Sequence, residues 1–192
     1  MPILPEKSCM EAIKDLQSFY KRHFDMYCDF SNVKMPESKV GYRHIVMADV
    51  PFEQLRDKFV KLFNLWLPEQ KKLDRLVAKS DRHAQNGSYA ILMRDEPDDD
   101  LGGLSPKEVS MVGVLTATLT EGMIHALKFF DETGLQLDHN RIAFCAGSRF
   151  NDDSIPGIGW VTSLICDGQM RIGLHDPIRK NDRACYRRVF VA

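Results

Sequence analysis

The sequence predicts an α+β fold in which a mainly antiparallel sheet packs against a long central helix, with additional N-terminal helices, in one compact domain over residues 1–192. Three observations predict it. Residues 105–134 read as a single helix that is apolar almost all the way round, helical periodicity dominates the chain before residue 82, and β-rich runs joined by short connections dominate after residue 140.

The central helix has its signals at both ends. Ser105 caps it, Glu108 reaches back to the cap, Pro106 occupies the first helical position, and Gly134 stops it. Lys107, Thr118, Glu121, His125, Lys128 and Glu132 form the polar stripe. Val109, Met111, Val112, Leu115, Leu119, Met123, Ile124, Leu127 and Phe130 cover the remainder, the pattern of a helix packed on more than one side, with Leu115, Leu119, Met123 and Leu127 expected in the core. Gly113 and Gly122 are its weak points, since glycine costs about 1 kcal/mol relative to alanine inside a helix. Gly113, Thr116, Ala117 and Thr120 make a small-residue strip that permits close approach of a sheet or helix.

From the N-terminus, Ser8 and Glu11 spell another capping box, and Ile13, Leu16, Tyr20 and Phe24 recur at helical spacing, predicting a helix over 9–24. Residues 29–40 are a loop and 42–50 a strand. Pro51 opens a second helix whose Phe52, Leu55, Phe59, Leu62 and Trp66 mark one face until Pro68 breaks it. A third helix is expected over 69–82, then a turn at Asn86-Gly87 and a strand over 88–94. Beyond the central helix, strands are expected at 141–150, 159–166, 169–175 and 185–191.

Asp167-Gly168 between two β-rich runs predicts a two-residue hairpin turn. That register sets Trp160 opposite His175. It sends Val161, Ser163, Ile165, Met170, Ile172 and Leu174 to the core and displays Trp160, Thr162, Arg171 and His175 on the other face.

Hydrophobic residues make up 44% and charged residues 28% of the 192, which excludes a disordered chain. No apolar run approaches the roughly 20 residues of a membrane span. The N-terminus lacks the charged start and apolar block of a secretory signal. Five cysteines, odd in number and without a Cys-x-x-Cys pair, fit a reduced cytoplasmic protein with free thiols. The net charge of −1 makes nucleic acid an unlikely partner, although Asp95, Glu96, Asp98, Asp99 and Asp100 form an acidic loop and Arg171, Arg179, Lys180, Arg183, Arg187 and Arg188 make the C-terminus basic.

The candidate ligand-binding residues are Trp160, Thr162, Arg171 and His175, with Arg179 adding anion attraction. A flat aromatic, a hydroxyl, a cation and an imidazole on one sheet face would orient a small anionic or aromatic ligand. Cross-strand pairing explains the same residues without a ligand. Cys145 with His175-Asp176 has the ingredients of a cysteine hydrolase, but a cysteine inside a strand reads as a buried structural thiol. The acidic loop lacks the ligand spacing of a calcium loop and reads as solvated. Glu121 and His125, four apart, read as a satisfied polar patch. Lys71, Arg75, Lys79 and Arg82 read as a solvated basic helix face. No cofactor or metal motif is present in the sequence. The function expected is therefore an intracellular, non-catalytic binding or regulatory protein acting on a protein partner or as a homo-oligomer. The alternative is a small-molecule enzyme or ligand-binding domain using the Trp/Arg/His face.

Overall fold

A computed structural model describes residues 7–67, 77–163 and 166–192. Helix α1 (Cys9–Phe24) begins at the expected capping box, in which the Glu11 N–H donates to Ser8 Oγ and the Ser8 N–H donates to the Glu11 carboxylate. Its inner face buries Ala12, Leu16, Phe19 and Tyr20, and the Tyr20 hydroxyl donates to the Val46 carbonyl at 2.8 Å. That carbonyl belongs to β1 (Tyr42–Met47), as predicted a strand.

Helix α2 (Phe52–Phe63) follows Pro51, which sits at the cap position itself. Its buried stripe is Leu55, Phe59 and Phe63, so the inward direction differs from the expected one. Leu62 and Trp66 stand exposed. Steps of four from Leu55 place three side chains on one line, whereas Leu62 lies a residue out of phase with it. The expected third helix falls largely on residues outside those described, and its last part is not helical, since Val77–Ser80 is strand β2.

The central helix is two helices. α3 (Pro106–Val112) uses the Ser105–Glu108 capping box and ends at Gly113, whose φ of 76° is the left-handed conformation that glycine adopts without penalty. Residues 114–117 are then extended, with the Leu115 carbonyl accepting from the Val189 N–H and the Ala117 carbonyl from the Gly147 N–H. A fresh capping box, Thr118 with Glu121, starts α4 (Leu119–Thr133), which ends at Gly134. The small-residue strip serves close packing inside the chain: a Cβ on Gly147 would sit 2.7 Å from the Thr116 carbonyl oxygen.

Two sheets enclose α4. One has the order β1–β3 (Tyr89–Arg94)–β9 (Phe190–Val191), all antiparallel. The other runs β7 (Cys166–His175), β6 (Ile155–Ser163), β4 (Ile142–Phe144), β8 (Ala184–Cys185), with only the β4–β8 pair parallel. A short ladder joins β2 to β5 (Ser148–Phe150). Helix α4 packs on β6 of one sheet and β1 of the other, with α2 beside it. This accounts for burial on every side, including Glu121, His125 and Lys128. Gly122 lets the second sheet close in, since a Cβ there would lie 2.9 Å from Cys145 Sγ.

The polar stripe of α4 is a ladder of ion pairs and hydrogen bonds, most of them to other elements. Glu121 accepts from Arg82 Nε and Nη2 at 2.8 Å each and from the Tyr89 hydroxyl at 2.9 Å. His125 meets Asp95 at 2.8 Å, Lys128 meets Asp15 at 2.9 Å, and Glu132 is held by Arg43, Lys128 and Lys7. Buried charges survive only when paired, and every pair here except Lys128–Glu132 also ties another part of the chain to α4.

The hairpin register differs from the expected one. Ser163 pairs with Cys166, Trp160 with Met170 and Ile155 with His175, so Asp167-Gly168 lies within β7 rather than in the turn. Gly168 keeps its positive φ, 80°, beside a register irregularity between Val161 and Ser163. The indole of Trp160 covers it: a Cβ on Gly168 would sit 2.4 Å from Trp160 Cζ2.

Candidate functional site

The revised register disperses the expected ligand group. Trp160 points with Ile158, Met170 and Ile172 toward α4 and meets Phe63 edge-on at 6.5 Å. Arg171 and His175 share the opposite face but stand four residues apart, roughly 13 Å along a strand. His175 stacks on Phe144 at 4.4 Å, over the space that Gly157 leaves open, and burial pushes its imidazole below the ordinary value. Arg179 is exposed in the turn after β7. The side chain of Thr162, and all of Leu164 and Ile165, lie outside the described residues. Leu174, expected in the core, is exposed.

Arg171 has a different aromatic partner. Trp66 joins the edge of β7, its N–H donating to the Met170 carbonyl at 2.8 Å and its carbonyl accepting from the Ile172 N–H at 3.2 Å. The Arg171 guanidinium then lies 5.3 Å over the Trp66 ring. Sequence spacing puts the half-exposed Trp66 on the marked apolar face of α2. No local signal distinguishes an aromatic that continues a helix face from one that turns to pair with a distant strand edge.

Among the described residues, the densest polar grouping is internal. Arg187 is buried, donating to both Asp138 carboxylate oxygens at 2.7 Å, to the Arg94 carbonyl at 3.0 Å and to the Asp95 carbonyl at 2.6 Å. Asp95 also binds Arg43 and His125. Burial alone would raise the Asp95 carboxyl, but the hydrogen bonds from His125 and Arg43 outweigh it and hold it far below the usual range. Burial likewise outweighs Asp95 at His125 and lowers the imidazole, so a neutral His125 donates to an ionised Asp95. His125, Asp138, Cys145 and Arg187 line a small cavity of about 20 Å³, space for one water molecule. Burial pushes the Cys145 thiol strongly up and Cys185 up to about 12, the condition of inert structural thiols. Cys9, Cys28, Cys145 and Cys185 are free.

The acidic loop, expected to be solvated, is tied down. Besides Asp95, Asp98 accepts the Arg188 N–H at 2.6 Å, and Asp100 pairs with the Arg188 guanidinium. No three His, Cys, Asp or Glu side chains among the described residues are grouped to hold a metal ion, and no helix there is long and apolar enough to cross a membrane.

The outward side of α3 is unlike the interior. Pro106 and Val109 are buried, Val109 in a cluster with Phe144, Ile155 and Tyr186. Met111 and Val112 point out, 79% and 53% exposed, and Leu115, expected in the core, is 45% exposed. The turn after β7 docks beside them: the Lys107 N–H donates to the Pro177 carbonyl at 2.8 Å, and Lys180 pairs with Glu108 at 3.0 Å. Ile178, 66% exposed, sits in that turn. Lys107, Arg179 and Arg183 are exposed and have no carboxylate partner among the described residues.

Comparison of the chain with protein-family models, curated proteins and solved structures found no match.

Proposed function

We propose that this chain is a non-catalytic binding protein that acts by associating with another protein through the face formed by α3 and the turn at 176–183. The observation that carries the reading is the exposure of Met111 and Val112 on α3 and of Ile178 in the turn that the Lys107–Pro177 contact ties to it, with Leu115 exposed just beyond the helix. Exposed apolar groups gathered on one face are a recurrent mark of association surfaces. Catalysis is left out of the reading because the His125–Asp95 pair, which has the form of an acid–base dyad, opens onto space for a single water. The free thiols support a reducing, cytoplasmic setting.

Photo-crosslinking amino acids installed singly at Met111 and Ile178 test the reading in the source cells, with Tyr27 and Val40 as exposed controls. A discrete adduct shared by positions 111 and 178 and missing at the controls is expected. Adducts of equal yield at all four positions, or at none, would overturn it.

A second reading is favoured by the Trp66–Arg171 stack, which could hold a small planar anion. Naphthalene-2-sulfonate should quench the fluorescence of Trp66 in a Trp160→Phe variant, and an Arg171→Ala exchange should abolish the effect. Quenching that is linear in concentration and unchanged by the exchange would remove this reading.

A further inference from the structure

Resting on the association reading above, we propose that the α3 face receives a short, acidic, amphipathic segment of its partner rather than a second folded copy of this chain. Size argues for a segment. A stable interface between folded domains takes roughly 20–30 residues a side. The apolar side chains here are four, Met111, Val112, Leu115 and Ile178. One helical turn separates Lys107 from Met111 on the outward side of α3, and Ile178 stands next to the proline that bonds to Lys107. A strip of this kind matches the i, i+3, i+4 anchors of one amphipathic helix.

Charge argues for acidity. Around the strip, the Lys180–Glu108 pair is internally compensated. The Asp176 carboxylate accepts the Ile178 N–H at 2.9 Å, within its own turn. Lys107, Arg179 and Arg183 then exceed the exposed carboxylates of the turn, Asp176 and Asp182, by one charge. The rim is therefore positive, which steers an acidic segment in and repels a basic one. Arg43, Arg82, Arg187 and Arg188, by contrast, are each closed on carboxylates.

The experiment uses the full chain and three fluorescein-labelled 15-residue peptides. One carries leucines at helical spacing with glutamates on the polar face, one the same leucines with lysines, and one is a scramble of the first. Fluorescence anisotropy should show the glutamate peptide binding at least tenfold more tightly than either other, with the difference shrinking as salt rises. Met111→Asp and Ile178→Asp should each weaken it at least tenfold, and Lys107→Glu with Arg179→Glu should reverse the preference. All four sites are exposed, and circular dichroism verifies folding. Val40→Asp, elsewhere on the surface, should change nothing. Equal binding of the three peptides, or binding untouched by the exchanges, would overturn the proposal. So would a concentration-dependent dimer in sedimentation that Met111→Asp dissolves, since the occupant would then be a second copy. If the photo-crosslinks form while no glutamate peptide binds, the acidic-segment inference falls alone. If both fail, the association reading falls with it.

Discussion

Replacing Arg187 with methionine should be among the most damaging single changes available in this chain. The guanidinium is 4% exposed and gives four hydrogen bonds, two to Asp138 and one each to the carbonyls of Arg94 and Asp95. Methionine fills much of the same volume but leaves the Asp138 carboxylate buried without a counter-charge, and breaking a buried pair from one side costs about 3–5 kcal/mol. For a chain of this length that corresponds to a fall in Tm of roughly 6–20 °C. The companion variant is Asp138→Asn, because Asp138 has a φ of 59° and asparagine tolerates that left-handed backbone. It too should destabilise, by leaving Arg187 unpaired. The double variant removes both charges and should cost less than the sum of the singles, with a coupling of about 1–3 kcal/mol. Urea unfolding followed by circular dichroism measures all four proteins. Costs that add within about 0.5 kcal/mol, or an Arg187→Met penalty below about 1 kcal/mol, would refute the argument that each of the two buried charges depends on the other.

Four further outcomes follow from the structure. His23 and His125 both have pKa values lowered by burial, so the unfolded chain binds protons that the folded chain refuses; stability should fall as pH drops from 7 through the unfolded histidine value toward 5, and a rise in the urea midpoint over that window would contradict the assignment. Below the ordinary aspartate value a second loss should begin as Asp95, held low by His125 and Arg43, starts to protonate in the unfolded chain first. Iodoacetamide should alkylate the half-buried Cys9 in the folded protein and reach Cys145 and Cys185 only in urea; equal labelling of all three in the native state would show that the sheet does not enclose them. Gly168→Ala should destabilise by roughly 1–3 kcal/mol, from the positive φ together with the overlap on Trp160, and should shift Trp160 emission; an unchanged midpoint would place the indole elsewhere.

The hairpin shows why a strong local signal lost. Asp-Gly favours a tight turn, but glycine at positive φ serves a bulge equally well. The register is decided by what each face meets. Pairing Trp160 with Met170 and Ile158 with Ile172 turns four large apolar side chains toward α4. The turn-centred register would have set Trp160 against His175, splitting that set between the faces. The alternation Ile158, Trp160 in one strand and Met170, Ile172 in the other was legible; that α4 lies beneath them was not. The ion pairs of α4 were hidden for the same reason. The polar stripe could be read from spacing, but Asp15, Arg43, Arg82 and Asp95 reach it from four other parts of the chain.

The break at Gly113 bears directly on the candidate site. Three Ser/Thr-x-x-Glu boxes are written in the chain, at Ser8, Ser105 and Thr118, and each starts a helix. The third is hidden in the sequence because Val114 and Leu115 continue the apolar run across the connector, and an apolar run alone does not say whether the backbone stays helical. A single helix over 105–134 would have carried Met111, Val112 and Leu115 into the same buried surroundings as Met123 and Leu127. With the backbone leaving the helix at Gly113, α3 buries Val109 in the cluster with Phe144 and Tyr186, and Met111, Val112 and Leu115 are left exposed. The candidate surface is thus a consequence of where one helix stops. Extending α3 is a direct way to remove it: Gly113→Ala penalises the left-handed stop by about 1 kcal/mol, and if the surface depends on that stop, peptide binding should weaken in this variant before global stability is lost.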